Sequence, residues 1–384
     1  MQKNRKSKKE LNKSFDFVLF IIVIILICMG ITMVLSASSP SSLSTTGSSY
    51  TYVYKQAISA AIGITLMLII SKIDYRKYEK YYKIVYAFSV GILALVLVPG
   101  LGRTINGATR WINIPIFGSA QPSEVTKLGL ILFFSAYLSK HRNELKHIWK
   151  GFFKPIIYFI APPILILLLV QSHFSASVVI ILVLSIMMMM AGTKFSHFAI
   201  FGSVGAGAGL SLMFILAKFF GMGSFRLSRI YSFLDPWQDP QGDGWQIIQS
   251  LYAIGSGGLF GVGLGNSTQK YLYISEPHND FIFAVLAEEL GFVGCAAVII
   301  LFLLFVWRGI IISMKAPDMF GSLLAVGITS LIGLQAIINI AVVTSSMPVT
   351  GIALPFFSYG GTSLIILLCA VGVLLNISRH TEKI

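Results

Sequence analysis

Asp280 stands where the polar stretch Glu276-Pro277-His278-Asn279 gives way to the apolar run Phe281-Ile282-Phe283-Ala284-Val285-Leu286. A carboxylate at such a boundary can accept a proton from a hydroxyl, which is general-base chemistry. It can equally cap the N-terminus of the following helix, a position that Asp favours and that Pro277 upstream supports. The two roles are compatible, but the positive helix end would weaken the base unless low-dielectric surroundings offset it. Glu288 and Glu289 follow on the same run, about 12 Å further along a helix. Carboxylates at that depth are costly and point to function or pairing. Lys127, one turn from Glu124, is the expected partner. The other external cations are Arg103 and Arg110 in one polar stretch and Arg226, Arg229 and Lys270 in another. Guanidinium groups suit bidentate phosphate recognition, and contact with lipid headgroups would satisfy them too. His141, His147, His173, His197, His278 and His380 form no ligand cluster, and Cys28, Cys295 and Cys369 lie inside apolar runs. No metal site is therefore expected, and no Ser-His-Asp order is apparent.

The elements that must position these residues follow from composition. Of 384 residues, 55% are hydrophobic and 11% charged, with a mean hydropathy of +0.81. A soluble enzyme would need nearer 25% charged residues. The chain is predicted to be an all-α polytopic membrane protein. Runs long enough to cross a bilayer fall at 16–37, 53–71, 83–99, 121–139, 154–171, 175–193, 196–217, 280–307, 319–343 and 357–377, which gives ten. Ten crossings put both termini on one side, and 21 of the 29 Lys and Arg share that side, so both are expected to be cytoplasmic. The opposite face carries eight acids against eight bases, so the whole +14 excess is topological and needs no nucleic acid. The organisation expected is a basic tail at 1–15, a membrane domain at 16–377 and a short cytoplasmic tail at 378–384. A large extracytoplasmic loop, 218–280, precedes helix eight and is too long for a plain connector. Its Gly-rich stretch from Gly255 to Gly265 lacks a nucleotide-binding register and is expected to pack closely as a half-buried segment.

Five stretches together resemble the SEDS family (shape, elongation, division and sporulation), the FtsW, RodA and SpoVE group of bacterial wall synthesis. They are Asn106-Gly107-Ala108-Thr109-Arg110-Trp111-Ile112, then Gln121-Pro122-Ser123-Glu124 with Lys127, the run from Gly244 to Gly258, the run from Glu276 to Phe292, and Leu354-Pro355-Phe356-Phe357-Ser358-Tyr359-Gly360-Gly361. The wording from Glu276 to Asp280 looks more like FtsW or SpoVE than RodA. The resemblance implies a peptidoglycan glycosyltransferase that polymerises lipid II into β-1,4-linked strands on the outer face of the bacterial cytoplasmic membrane. Asp280 matches the family's essential acid, proposed to deprotonate the acceptor's 4-hydroxyl in an inverting displacement. Substrate contacts are expected from Arg110, Glu124, Lys127, Arg226, Arg229 and Lys270, with Glu288 and Glu289 as supporting intramembrane polar residues. A divalent cation, Mg or Mn, would be an optional aid to the leaving pyrophosphate. Expected partners are a class B penicillin-binding protein transpeptidase and other divisome, elongasome or sporulation proteins. The rival readings are a lipid II flippase and a scaffold that only recruits the transpeptidase. One departure stands out: where many members carry an acid, this chain has Gln171-Ser172-His173-Phe174-Ser175-Ala176-Ser177.

Overall fold

A computed structural model describes residues 14–98, 101–105, 108–114, 118–199, 233–242, 244–271, 273–274 and 276–381. Arg226, Arg229, most of the expected span 196–217, most of the basic N-terminal tail and Lys383 lie outside the described residues. The principal helices are α1 (Phe17–Thr46), α2 (Thr51–Ile70), α3 (Tyr82–Ala94), α4 (Pro122–Lys140), α5 (Ile148–Val170), α6 (Phe174–Met190), α7 (Trp245–Gly257), α8 (Ile282–Met314), α9 (Met319–Val343) and α10 (Gly361–His380). Six of them, α1, α2, α5, α8, α9 and α10, are long and apolar enough to cross a membrane. α9 is central, packing on α4, α6 and α8, while α10 lies against α2 and α1 against both α2 and α8.

Several boundaries differ from the apolar runs. α1 continues past residue 37 through a Ser-rich stretch to a left-handed Gly47 cap, making it about 45 Å long. Hydropathy marks only its immersed part. α5 begins at Ile148 rather than 154 and alternates α with π-helical turns, because Pro155, Pro162 and Pro163 each remove a backbone donor. The all-α expectation misses a small antiparallel sheet, β1 (Gly102–Ile105), β2 (Ala108–Ile114) and β3 (Gly118–Ala120). Arg103 pairs with Trp111, and an irregularity follows at Thr104. Strands this short carry no hydrophobic period long enough to read.

α8 is the element that matters most for position. It is two helices, not one: Gly291 breaks it with φ 66° and ψ −165°. The Gly-rich stretch that follows α7 fills the break. Val262 N donates to Glu288 O at 2.9 Å, Gly263 N to Glu289 O at 3.1 Å, Phe292 N to Gly258 O at 2.9 Å and Val293 N to Leu259 O at 3.1 Å. Backbones approach so closely that a Cβ on Gly291 would lie 2.3 Å from Gly261 N, and one on Gly261 would lie 2.2 Å from Glu289 O. Only glycine fits, which is the close packing expected of this stretch.

Candidate active site

The first half of α8 begins at Ile282, with Phe281 at its cap position and no side-chain cap bond. Asp280 therefore does not cap the helix, contrary to one of the two roles expected of it. Its carboxyl is free of the helix terminus, and its backbone is held instead. Asn339 of α9 donates through Nδ2 to the carbonyls of Asp280 and Ile352, each at 2.7 Å. Ser358 Oγ donates to Asn279 O at 2.7 Å, Tyr359 N donates to His278 O at 2.8 Å, and Gln56 of α2 bonds both Ser358 O and Gly360 N. Two of the sequence stretches singled out above, 276–292 and 354–361, thus fold against each other. Asp280 sits at their seam, half-buried, with its Oδ2 beside Gly351.

Burial pushes the Asp280 carboxyl up to about 6, the Glu276 carboxylate pushes in the same direction, and the Arg110 guanidinium pulls against them. Arg110 reaches this environment from β2. Its Nε donates to Gln171 O at 3.1 Å and its Nη2 to Ser172 O at 2.7 Å, so it also closes the turn between α5 and α6. That turn needs closing: Ser172 has φ 48°. Next in the turn is His173, buried, with Nδ1 lacking any partner among the described residues. Burial, Arg110 and then Lys127 drive its pKa down to about 3, so the ring is neutral where an acid would be charged.

Lys127 of α4 pairs with Glu124 at 2.6 Å and is buried. It also lines a small cavity with Leu130, Ile131, Ile180, Val183, Leu184 and Leu331. The expectation that Lys127 would neutralise Glu288 or Glu289 is corrected here, because that work falls to Lys270. The Nζ of Lys270 donates to Glu289 Oε1 at 3.0 Å, Ser36 Oγ at 3.1 Å and Gly265 O at 2.5 Å. An ammonium has three donors, and all three are used. Glu288 accepts from Ser267 Oγ, Thr268 N and Thr268 Oγ1 at 2.5, 2.8 and 2.9 Å. Lys270, expected at the substrate, is thus enclosed with Glu288 and Glu289 in a joint between the loop, α1 and α8. Two residues before Asp280, His278 is buried against the rings of Tyr52 and Tyr359. Its Nε2 lies 3.4 Å from Glu276, and burial lowers its pKa against the pull of that carboxylate. Among the described residues, no three His, Cys, Asp or Glu side chains gather where they could hold a metal ion.

With this geometry in place, the relatives are informative. Residues 16–383 match the cell cycle proteins of the FtsW, RodA and SpoVE type. The chain belongs to the FtsW/RodA/SpoVE family. It is 42% identical over 337 residues to stage V sporulation protein E of Bacillus subtilis, covering 87% of this chain and 88% of that protein. It is 42% identical over 331 residues to a probable peptidoglycan glycosyltransferase FtsW of Geobacter, covering 86% and 88%. Among solved structures it resembles a chain of a peptidoglycan synthase complex that coordinates polymerization and crosslinking, at a TM-score of 0.77 and 29% identity, covering 95% and 98%. It also resembles the rod shape determining protein RodA of Thermus thermophilus, at a TM-score of 0.68 and 27% identity, covering 96% and 98%. As a member of the FtsW/RodA/SpoVE family the chain is a multispan membrane protein.

Residue-by-residue reading does not single out Asn339, Glu276 and His278, which the structure places around Asp280. A signal existed for the first: an amide inside the largely apolar α9 has to find partners. Glu276 and His278 were in view only as neighbours of Asp280.

Proposed function

We propose that the chain is a peptidoglycan glycosyltransferase that polymerises lipid II on the outer face of the cytoplasmic membrane, with Asp280 as general base. The observation that carries the reading is the Asp280 carboxyl, raised to about 6, standing at the head of α8 within the electrostatic reach of Arg110. Lipid II presents an α-linked sugar pyrophosphate, and the product linkage is β. A single displacement suffices, without the covalent intermediate of retaining glycosidases. Asp280 takes the proton of the acceptor hydroxyl as its oxygen attacks the anomeric carbon and the bond to pyrophosphate breaks. Arg110 and Lys127 offset the charge gathering on the departing phosphate. Glu124 holds Lys127 in place, and neutral His173 adds no negative charge near them. Arg226 and Arg229 complete this reading as loop contacts to the headgroup, and both termini lie in the cytoplasm. The similarity to a synthase complex supports a transpeptidase of the penicillin-binding class as partner.

A discontinuous α8 is also a feature of transporters. Here the break is filled by the chain's own backbone rather than left to line a pathway, which favours the enzyme over the flippase. Purified protein given fluorescent lipid II should yield glycan ladders. Asp280→Ala should abolish them, given that a general base contributes about 10²–10⁴-fold. An Asp280→Ala protein that makes ladders at the wild-type rate would end the assignment.

A further inference from the structure

Gly244 to Gln269 contains no charged residue, although the notional loop around it is extracytoplasmic. Within it, Leu259, Phe260, Val262 and Leu264 are exposed, Phe260 to 80%. Such a patch in water would be a liability. Its height is fixed by the bonds described above, because residues 258–263 are hydrogen-bonded to residues 288–293 on both sides of the α8 break. Phe292 and Val293 are likewise exposed and open the second half of α8, which at 1.5 Å per residue extends about 34 Å, enough to span the hydrocarbon core. The loop patch is thus continuous with the lipid-facing surface of a spanning helix. Irregular backbone tolerates hydrocarbon only when its polar groups are satisfied. Here five of them are bonded within the chain: the amides of Gly261, Val262 and Gly263 donate to Gly257, Glu288 and Glu289, and the carbonyls of Gly258 and Leu259 accept from Phe292 and Val293. Trp237, Tyr252, Tyr271 and Tyr273, on the segments that flank the patch in the chain, are exposed and supply the amphipathic rings that settle at headgroup level. The nearby cation, Lys270, is turned inward to Glu289.

We propose that the segment Gly258–Leu264 is seated in the outer leaflet of the bilayer and, through the outer half of α8, sets the height of Asp280 at the membrane surface. Lipid rather than a protein is the occupant because the patch extends an existing lipid-facing surface and carries no charged rim. Single nitroxide labels on Phe260→Cys, Asp239→Cys and Ile300→Cys, in a background lacking Cys28, Cys295 and Cys369, test this in phosphatidylglycerol/phosphatidylcholine vesicles holding the purified chain alone. Position 260 should collide with oxygen in preference to a water-soluble nickel chelate, as position 300 does. Chelate access equal to that at 239 overturns the proposal, including in the case that a protein covers the patch in the cell. Phe260→Asp should lose most polymerase activity while Phe260→Leu keeps it, both remaining monodisperse. Full activity in Phe260→Asp would refute the height-setting role. The activity measurement rests on the polymerase reading and the collision measurement does not, so the two can fail separately.

Discussion

Asp280 is raised by burial and by Glu276 and lowered by Arg110, and only its ionised form can take a proton. Polymerisation measured as kcat/KM should therefore fall as pH drops through about 6. Glu276→Gln removes a raising influence, so its acidic limb should move to lower pH. Arg110→Gln removes the opposing one and should move the limb to higher pH. His173 is already neutral there, and the limb should persist in His278→Gln, since burial depresses that ring. Limbs that coincide in all these variants would show that another group sets the profile. The candidate base was legible in the sequence because a carboxylate at a polar–apolar boundary is conspicuous. Its pKa was not, because helix dipole and desolvation act in opposite directions and their balance depends on what packs around the carboxyl. Asn339 and Ser358, which decide where Asp280 sits, come from sequence positions 59 and 78 residues away, and no local pattern links them.

At the scale of elements, the joint between the Gly-rich stretch and α8 holds a buried ion pair, Lys270 with Glu289. Removing one partner of such a pair leaves an uncompensated charge and costs about 3–5 kcal/mol, whereas replacing both by apolar groups can be nearly neutral. Lys270→Met and Glu289→Met should each lower the unfolding temperature in detergent, and the double variant should recover most of the loss. The same pair separates two roles for Lys270. If its amine only anchors the loop, polymerase activity recovers in the double variant along with stability. If it also grips the substrate phosphate, stability returns and activity does not. The apolar runs located the described helices to within a few residues at most ends, since length and hydropathy are local properties. They could not show the break at Gly291, because a glycine in an apolar run looks the same whether the helix continues or stops. What stops it is Gly261, thirty positions earlier.

For the molecule as a whole, the excess positive charge and the site sit at opposite ends. At one end Asp16 caps α1 and binds Arg308 of α8 at 2.6 Å, while Asp318 meets Tyr75 and Arg76, so the few acids there tie helix ends together. Most of the remaining charge at that end is basic: Lys72, Lys77, Lys80, Lys83, Arg142, Lys146, Lys150 and Lys154 all belong to it. At the other end are Asp280, Arg110 and the Gly-rich segment. Basic residues accumulate on the cytoplasmic side and anionic lipids hold them there. On the function proposed above, the candidate base faces outward, where a lipid-linked sugar would meet it at the headgroup level. This orientation can be read in intact cells. A membrane-impermeant maleimide should label Asp239→Cys without lysis and Arg142→Cys only after it, in the cysteine-free background. The reverse pattern would turn Asp280 toward the cytosol, and a polymer built there could not join a wall that lies outside.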